Sequence, residues 1–207
     1  MAQPAGAQDD ESRADSGFDY NRTVALSDGV FAIALTLLVL NIALPATGAH
    51  RDLGSALLEQ GTEYESYAIG FAVIALLWVR HHAFFRSLER IDTLLTVLNL
   101  VYLGFVAFLP YPTRVLGRYG GEPASVVLYA ITVAIIALIG AVMRAYTLRA
   151  GLRARELRQS AREHLWIPPA VFLASIPIAF LNTKAAELFW LVMLLPRLSR
   201  RITGQRG

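Results

Sequence analysis

Cysteine is absent from all 207 residues, which excludes disulfides, thiolate-bound metals and cysteine nucleophiles. The chain also lacks a Gly-x-Ser-x-Gly elbow, a phosphate-binding loop and a His-Glu-x-x-His pair, so no catalytic constellation is present and no enzyme is expected. His81-His82 has no carboxylate or cysteine at ligand spacing, and neither a metal nor an organic cofactor is expected. Tyr119-Gly120-Gly121 is not a carbonyl selectivity filter, because it lacks the threonine-valine lead-in and sits beside charge. A secretory leader is missing too: residues 1–20 are rich in Ala, Gln, Asp, Glu and Ser, carry Asp9, Asp10, Glu11, Asp15 and Asp19, and read as disordered. The net charge of +3 is too small to suggest a nucleic-acid partner.

What the chain has in quantity is hydrocarbon. Its hydrophobic content is 55%, too high for an ordinary soluble domain and sufficient for several membrane spans. The leading segment is Arg22 to Leu44, which starts with Arg22, Ser27 and Asp28 and then runs uncharged to Pro45. Its 23 residues, at about 1.5 Å each, suffice to cross a hydrocarbon core of about 30 Å. Polar groups close to hydrocarbon are expensive, so this entrance needs partners elsewhere in the chain.

A short surface helix is expected over Leu53 to Leu58, and a second span from Tyr64 to Phe85. A third covers Ile91 to Pro112, with Pro110 and Pro112 expected to end it. A glycine turn leads to a fourth span, Ala124 to Tyr146, which the basic stretch Arg144 to Arg162 is expected to extend as helix into water. The fifth and sixth spans are Leu165 to Leu181 and Ala185 to Leu198, giving one membrane domain over 21–203 and a short tail, 204–207. Fifteen of the nineteen Lys and Arg then fall on the side of both termini, leaving Arg51, Arg114, Arg118 and Lys184 opposite. The excess places both termini in the cytoplasm and the protein in the cytoplasmic membrane, with an even number of spans.

At about 100° per residue, with Ile33 set at zero, Leu37, Leu40, Thr36 and Gly29 all fall within about 60° of it, whereas Ser27 and Asp28 lie about 120–140° away. One face is thus a stripe of Ile33, Leu37 and Leu40 with Thr36 at its edge, which by itself is equally consistent with ordinary helix packing. The other face carries Ser27 and Asp28 towards neighbouring helices. Trp78 and His81-His82 at i, i+3 and i+4 offer an indole N–H and an imidazole on one face of the second span, and Asn99 on the third is placed to join them.

Arg22-x-x-x-Leu26-Ser27-Asp28, followed by Gly29-Val30-Phe31-Ala32-Ile33-Ala34, resembles the Arg-x-x-x-Phe-Ser-Asp signature that opens the first helix of the lysosomal potassium channel family, transmembrane protein 175, and its bacterial homologues. Leu26 stands where phenylalanine is usual. The likeness continues through Trp78-x-x-His81-His82 and Asn99 to Leu109-Pro110-Tyr111-Pro112-Thr113, and so covers mainly the first three spans.

The resemblance implies an all-α membrane protein with six transmembrane helices per subunit, assembled as a homotetramer whose first helices line a central pore for potassium. It implies a pore constriction at Ile33, Leu37 and Leu40 with Ile33 narrowest, and a hydroxyl layer at Thr36. Arg22, Ser27, Asp28, Trp78, His81, His82 and Asn99 would form the polar network behind the pore. Arg22 is the awkward member, since on an unbroken wheel it falls on the pore stripe, where a cation would repel potassium; it is expected to turn away. A secondary transporter and a non-conducting membrane scaffold are the rival classes.

Overall fold

The protein is described here from a computed structural model, which covers residues 5–45, 52–152 and 166–190, with side chains in the first segment from Tyr20 onward. All regular structure among the described residues is helical. Helix α1 spans Ala5–Leu37 and tightens into a 3₁₀ turn at Leu38–Asn41; α2 is the short surface helix Leu53–Leu58. Then come α3 (Gly61–Phe85), α4 (Thr93–Phe108), α5 (Pro110–Tyr119), α6 (Pro123–Arg149), α7 (Ile167–Leu181) and α8 (Thr183–Phe189). Four stretches are long and apolar enough to cross a membrane: Tyr20–Asn41, Gly61–Phe85, Thr93–Tyr119 and Pro123–Arg149. The protein is therefore a multi-pass, all-α membrane protein.

Three boundaries differ from expectation, each for a local reason. The backbone of α1 is helical from Ala5, inside the segment that composition reads as disordered. Propagating a formed helix adds one hydrogen bond per residue fixed, and this segment is rich in alanine, the best helix former.

Pro110 and Pro112 do not end the third span. They open α5 directly after α4, so the two helices run on as one 27-residue crossing with a break at Leu109. Proline is tolerated in a first turn, where its missing N–H would have no partner anyway. The groups around the break are satisfied: Leu109 N bonds Val106 O at 3.1 Å, Thr113 N bonds Leu109 O at 3.1 Å, and Asn41 Nδ2 donates to Pro110 O at 2.8 Å.

The fourth span enters the basic stretch only as far as Arg149. Gly151 takes φ 70°, a left-handed conformation that suits glycine, and Leu152 N–H closes back on Thr147 O at 3.1 Å, the bond of a Schellman cap. Arg153, Arg155, Arg158 and Arg162 lie outside the described residues, as do positions 191–198 of the expected sixth span and the tail 204–207.

Helix α1 packs on α3 and α4, α4 on α6, α6 on α7, and α7 on α8, while α5 lies against α3 and α6. The α3–α5 contact is close. Ser66 and Gly70 on α3 meet Gly117 and Thr113 on the antiparallel α5: a Cβ added to Gly70 would stand 2.7 Å from Thr113 Cγ2, and one on Gly117 2.5 Å from Ser66 Oγ. Two small residues four apart on each helix let the backbones approach where lipid cannot intervene. Ser66 and Thr113 turn their hydroxyls onto Glu63 O and Leu109 O of their own helices, at 2.9 Å each, and so expose little polarity there.

Replacing Gly70 with valine should force this contact apart and lower stability by about 1–3 kcal/mol. The check is a thermal unfolding midpoint in detergent, with Gly104→Ala as control, since a Cβ there meets nothing within 4 Å and should not lower the midpoint.

Candidate functional site

The first helix presents two faces. Ser27, Phe31, Ala34 and Leu38 are buried, at 0–1% exposure, against α3 and α4, whereas Ile33, Leu37 and Leu40 remain 60%, 41% and 70% exposed. Their spacing is that of opposite sides of one helix. Only 22% of the α1 span is buried within the chain, against 61% of α6, so α1 lies at the edge of the subunit with most of its surface open.

A line of hydrogen bonds fixes which face is which. Ser27 Oγ donates to Thr23 O at 2.8 Å and accepts from Asn99 Nδ2 at 3.1 Å, while Asn99 Oδ1 meets His81 Nε2 at 2.8 Å. Because the hydroxyl hydrogen of Ser27 is used on Thr23 O, the amide nitrogen of Asn99 must face Ser27 and its oxygen must face His81. That places a hydrogen on His81 Nε2. Ser27, Asn99 and His81 are all buried, and the imidazole is surrounded by rings: Phe85 at 4.5 Å, Phe31 and Tyr102 each at 5.4 Å between centroids. Buried polar groups in apolar surroundings must pair, and these three pair with one another.

A second bond lies one position along the helix. Trp78 Nε1 donates to Asp28 Oδ1 at 2.9 Å, joining α3 to α1 at the entrance, and the Trp78 ring stands 5.5 Å from that of His82. The expected network residues therefore divide. Ser27, Asn99 and His81 form one buried chain, Asp28 and Trp78 form a separate pair, and His82 is half-buried beside Trp78, with no side-chain hydrogen bond shown for it among the described residues. Arg22 is exposed and lines a cleft of about 650 Å³ together with Thr23, Leu26, Asp92, Thr93 and Thr96.

On the presented face, Thr36 Oγ1 donates to Ile33 O at 2.9 Å. Its hydrogen is thus occupied, and what the hydroxyl offers outward is lone pairs. This arrangement can accept a cation or a water hydrogen but cannot donate to an anion. Among the described residues, no cluster of three or more His, Asp or Glu is gathered for a metal.

Several tying residues have no counterpart in the expected site. Asp92 caps α4 by accepting from Leu95 N at 2.8 Å and also accepts the Tyr146 hydroxyl of α6. Lys184 bridges Glu65 of α3 and Glu187 of α8, at 2.6 and 3.0 Å. Burial opposes the charged form of Lys184, but bonds to the two carboxylates outweigh it and raise its pKa above the ordinary lysine value. Trp190 Nε1 donates to Ser175 Oγ at 2.9 Å and fastens the end of α8 to α7. Apart from Lys184–Glu187 and the helix-capping position of Asp92, directly before Thr93, these contacts join residues far apart in sequence.

Truncation of Asn99 to alanine should leave His81 Nε2–H without its acceptor and Ser27 without its donor, lowering stability by about 1–3 kcal/mol. His82→Ala, by contrast, should cost less than His81→Ala. Unfolding midpoints of the three variants check this order.

A family model described as the endosomal/lysosomal potassium channel TMEM175 matches residues 22–110, which contain Arg22, Ser27, Asp28, Ile33, Thr36, Leu37, Leu40, Trp78, His81, His82 and Asn99. Over 171 residues the chain is 32% identical to a potassium channel of Chamaesiphon minutus, an alignment covering 78% of this chain and 84% of that protein. It is 45% identical over 98 residues to a potassium channel of Streptomyces collinus, covering 47% of this chain and 48% of that one, so the chain spans about half the length of this relative. The crystal structure of a lysosomal potassium-selective channel TMEM175 homologue from Chamaesiphon minutus shares the fold with a TM-score of 0.73 at 28% identity, over 88% of this chain and 97% of the other. With the entrance signature, the anchoring chain from α1 to α3 and α4, the helical architecture and an alignment across most of a bacterial homologue in agreement, the chain belongs to the TMEM175 family of ion channels.

Proposed function

We propose that the chain forms a potassium-permeable channel, with four copies arranged so that the exposed faces of their α1 helices line a central pore. The observation that carries the reading is the division of α1: a hydrogen-bonded face held against α3 and α4, and an apolar face with one inward-bonded hydroxyl left open. In this arrangement each subunit contributes six spans, and both termini are cytoplasmic. A ring of four Ile33 side chains forms the narrowest point, with Leu37 and Leu40 at further rings and Thr36 between them.

The mechanism needs no chemistry beyond wetting and dewetting. Four branched apolar side chains close together exclude water, and an ion that cannot keep its hydration shell is stopped. A small rotation or dilation of the α1 bundle wets the path, and flow is downhill. Because α1 is a continuous helix there, no cage of backbone carbonyls replaces the hydration shell. The preference for potassium over sodium then rests on partial dehydration at Ile33 and on the Thr36 lone pairs, and is modest. Arg22 turns away from the axis in this reading, supported by its place on the wall of the cleft that also holds the Asp92 carboxylate.

A carrier would use a substrate site at broken helices near the membrane midplane. The break between α4 and α5 is the feature of that type here, but Leu109, Pro110, Pro112 and Thr113 are all buried and the neighbouring carbonyls of Val106, Leu109 and Pro110 already accept protein donors. Those three carbonyls are already taken, which favours the channel.

Reconstitution into planar bilayers tests the proposal. Wild-type protein should give unitary potassium currents, and Ile33→Asn should increase the current by wetting the constriction. Unchanged conductance and gating in Ile33→Asn would remove Ile33 from the constriction; slow, saturable, proton-coupled flux would identify a carrier instead.

A further inference from the structure

A second feature lies away from the presumed pore face and has no part in the channel reading. Helix α3 packs on α1 and α5, and α6 packs on α4, α5, α7 and α8, but α3 makes no extensive contact with α6, α7 or α8 among the described residues. The space between them is a partly open cavity of about 100 Å³. Its sides are hydrocarbon: Ile69, Val73 and Leu76 from α3, Val133 and Ile136 from α6, and Phe172 from α7. Along these walls water finds few hydrogen-bond partners, so the middle of the cavity suits an apolar group. A membrane protein has a ready supply of apolar groups in the surrounding acyl chains.

The ends of the cavity are unlike. At one end stand Arg80 of α3 and Arg144 of α6, each five residues before the last residue of its helix and thus more than a turn inside it. Arg144 reaches across the gap, donating to Gly140 O at 3.1 Å and to Arg80 O at 3.3 Å, with its guanidinium 5.4 Å from the centre of the Phe84 ring. The site is made for that side chain: a Cβ on Gly140 would stand 3.3 Å from Arg144 Nη1. At the opposite end Glu187 is held by Lys184. Two cations at one end of a cavity with apolar walls, each near the end of a membrane-spanning helix, match an amphiphile with one anionic end.

We infer that this cavity is a lipid site: the acyl chain of an anionic membrane phospholipid lies between α3 and α6–α8, with its phosphate at Arg80 and Arg144. Guanidinium groups suit phosphate because their paired N–H donors match its oxygens. The bound lipid would fill the seam that direct helix packing leaves and couple α3, which carries His81 and Trp78, to the α6–α8 unit. The inference does not depend on ion conduction and stands or falls separately from it.

Native mass spectrometry of the purified full chain in mixed micelles tests it, with phosphatidylglycerol or phosphatidylcholine as the probe. Wild-type protein should retain phosphatidylglycerol several-fold over phosphatidylcholine, and excess inorganic phosphate should not displace it. Arg80→Gln, which leaves the Arg144 bonds to backbone intact, should lower the preference, and Arg80→Gln with Arg144→Gln should abolish it. Ala137→Phe, which fills the cavity from α6 without touching either cation, should reduce retention of both lipids. The inference is overturned if the preference survives the double variant, if phosphate alone displaces the lipid, or if Ala137→Phe changes only the oligomer distribution and leaves lipid retention as it was. The last outcome would assign the cavity to a second copy of the chain.

Discussion

The structure depends on how α1 is held in rotation. A helix apolar on all sides has no hydrophobic reason to prefer one orientation in a membrane, because lipid tails are as apolar as neighbouring side chains. Hydrogen bonds supply the reason. Ser27 can reach Asn99 only if α1 turns that side towards α4, and Asn99 can accept from His81 only with its amide oriented as Ser27 requires. Rotating α1 by one residue, about 100°, would take Ser27 out of reach and leave the buried Asn99 amide N–H without its acceptor, at a cost of about 1–3 kcal/mol. The Asp28–Trp78 bond repeats the constraint at the entrance. The opposite face, Ile33, Thr36, Leu37 and Leu40, is therefore presented in one defined direction.

The same logic explains why the chemistry of the presented face is so sparse. Thr36 is the one polar side chain in the stripe, and its hydrogen is turned inward to Ile33 O. Charged groups are kept at the helix entrance or in the seams between helices, where two carbonyl oxygens and an aromatic ring hold Arg144 in place. An apolar surface interrupted only by lone pairs is compatible with brief passage of a cation and offers an anion nothing. Rigidity comes from elsewhere, notably from the close α3–α5 contact at Gly70 and Gly117.

How much of this was legible in the sequence depended on distance along the chain. The two faces of α1 could be read because no proline or glycine pair disturbs the helical period between Ser27 and Leu37, so angle alone separates Ser27 from Ile33. The short helix Leu53–Leu58 and the second span were equally accessible from pattern. Proline was misleading at Pro110, where the residue that ends one helix also begins the next: its missing N–H falls in a first turn, and Leu109 N takes the Val106 carbonyl that it would have served. Gly151 ended a helix that the basic composition beyond it appeared to continue, although a glycine in that position was itself the available signal. The division of the histidines was not legible: at i+3 and i+4 from Trp78 both are candidates, and only the place of Asn99 on the neighbouring helix selects His81. Ser66-x-x-x-Gly70 and Thr113-x-x-x-Gly117 did carry a readable spacing, one that pointed to a close helix crossing.

The central claim is that the open face of α1 is the ion path, and the absence of native cysteine makes it directly measurable. Single cysteines placed at Ile33, Thr36, Leu37 and Leu40, and at Ala34 on the buried face, can be exposed in turn to a cationic thiol reagent while potassium flux through reconstituted protein is recorded. The account predicts inhibition at the four presented positions and none at Ala34. Inhibition at Ala34, or flux indifferent to modification at all four presented positions, would contradict it.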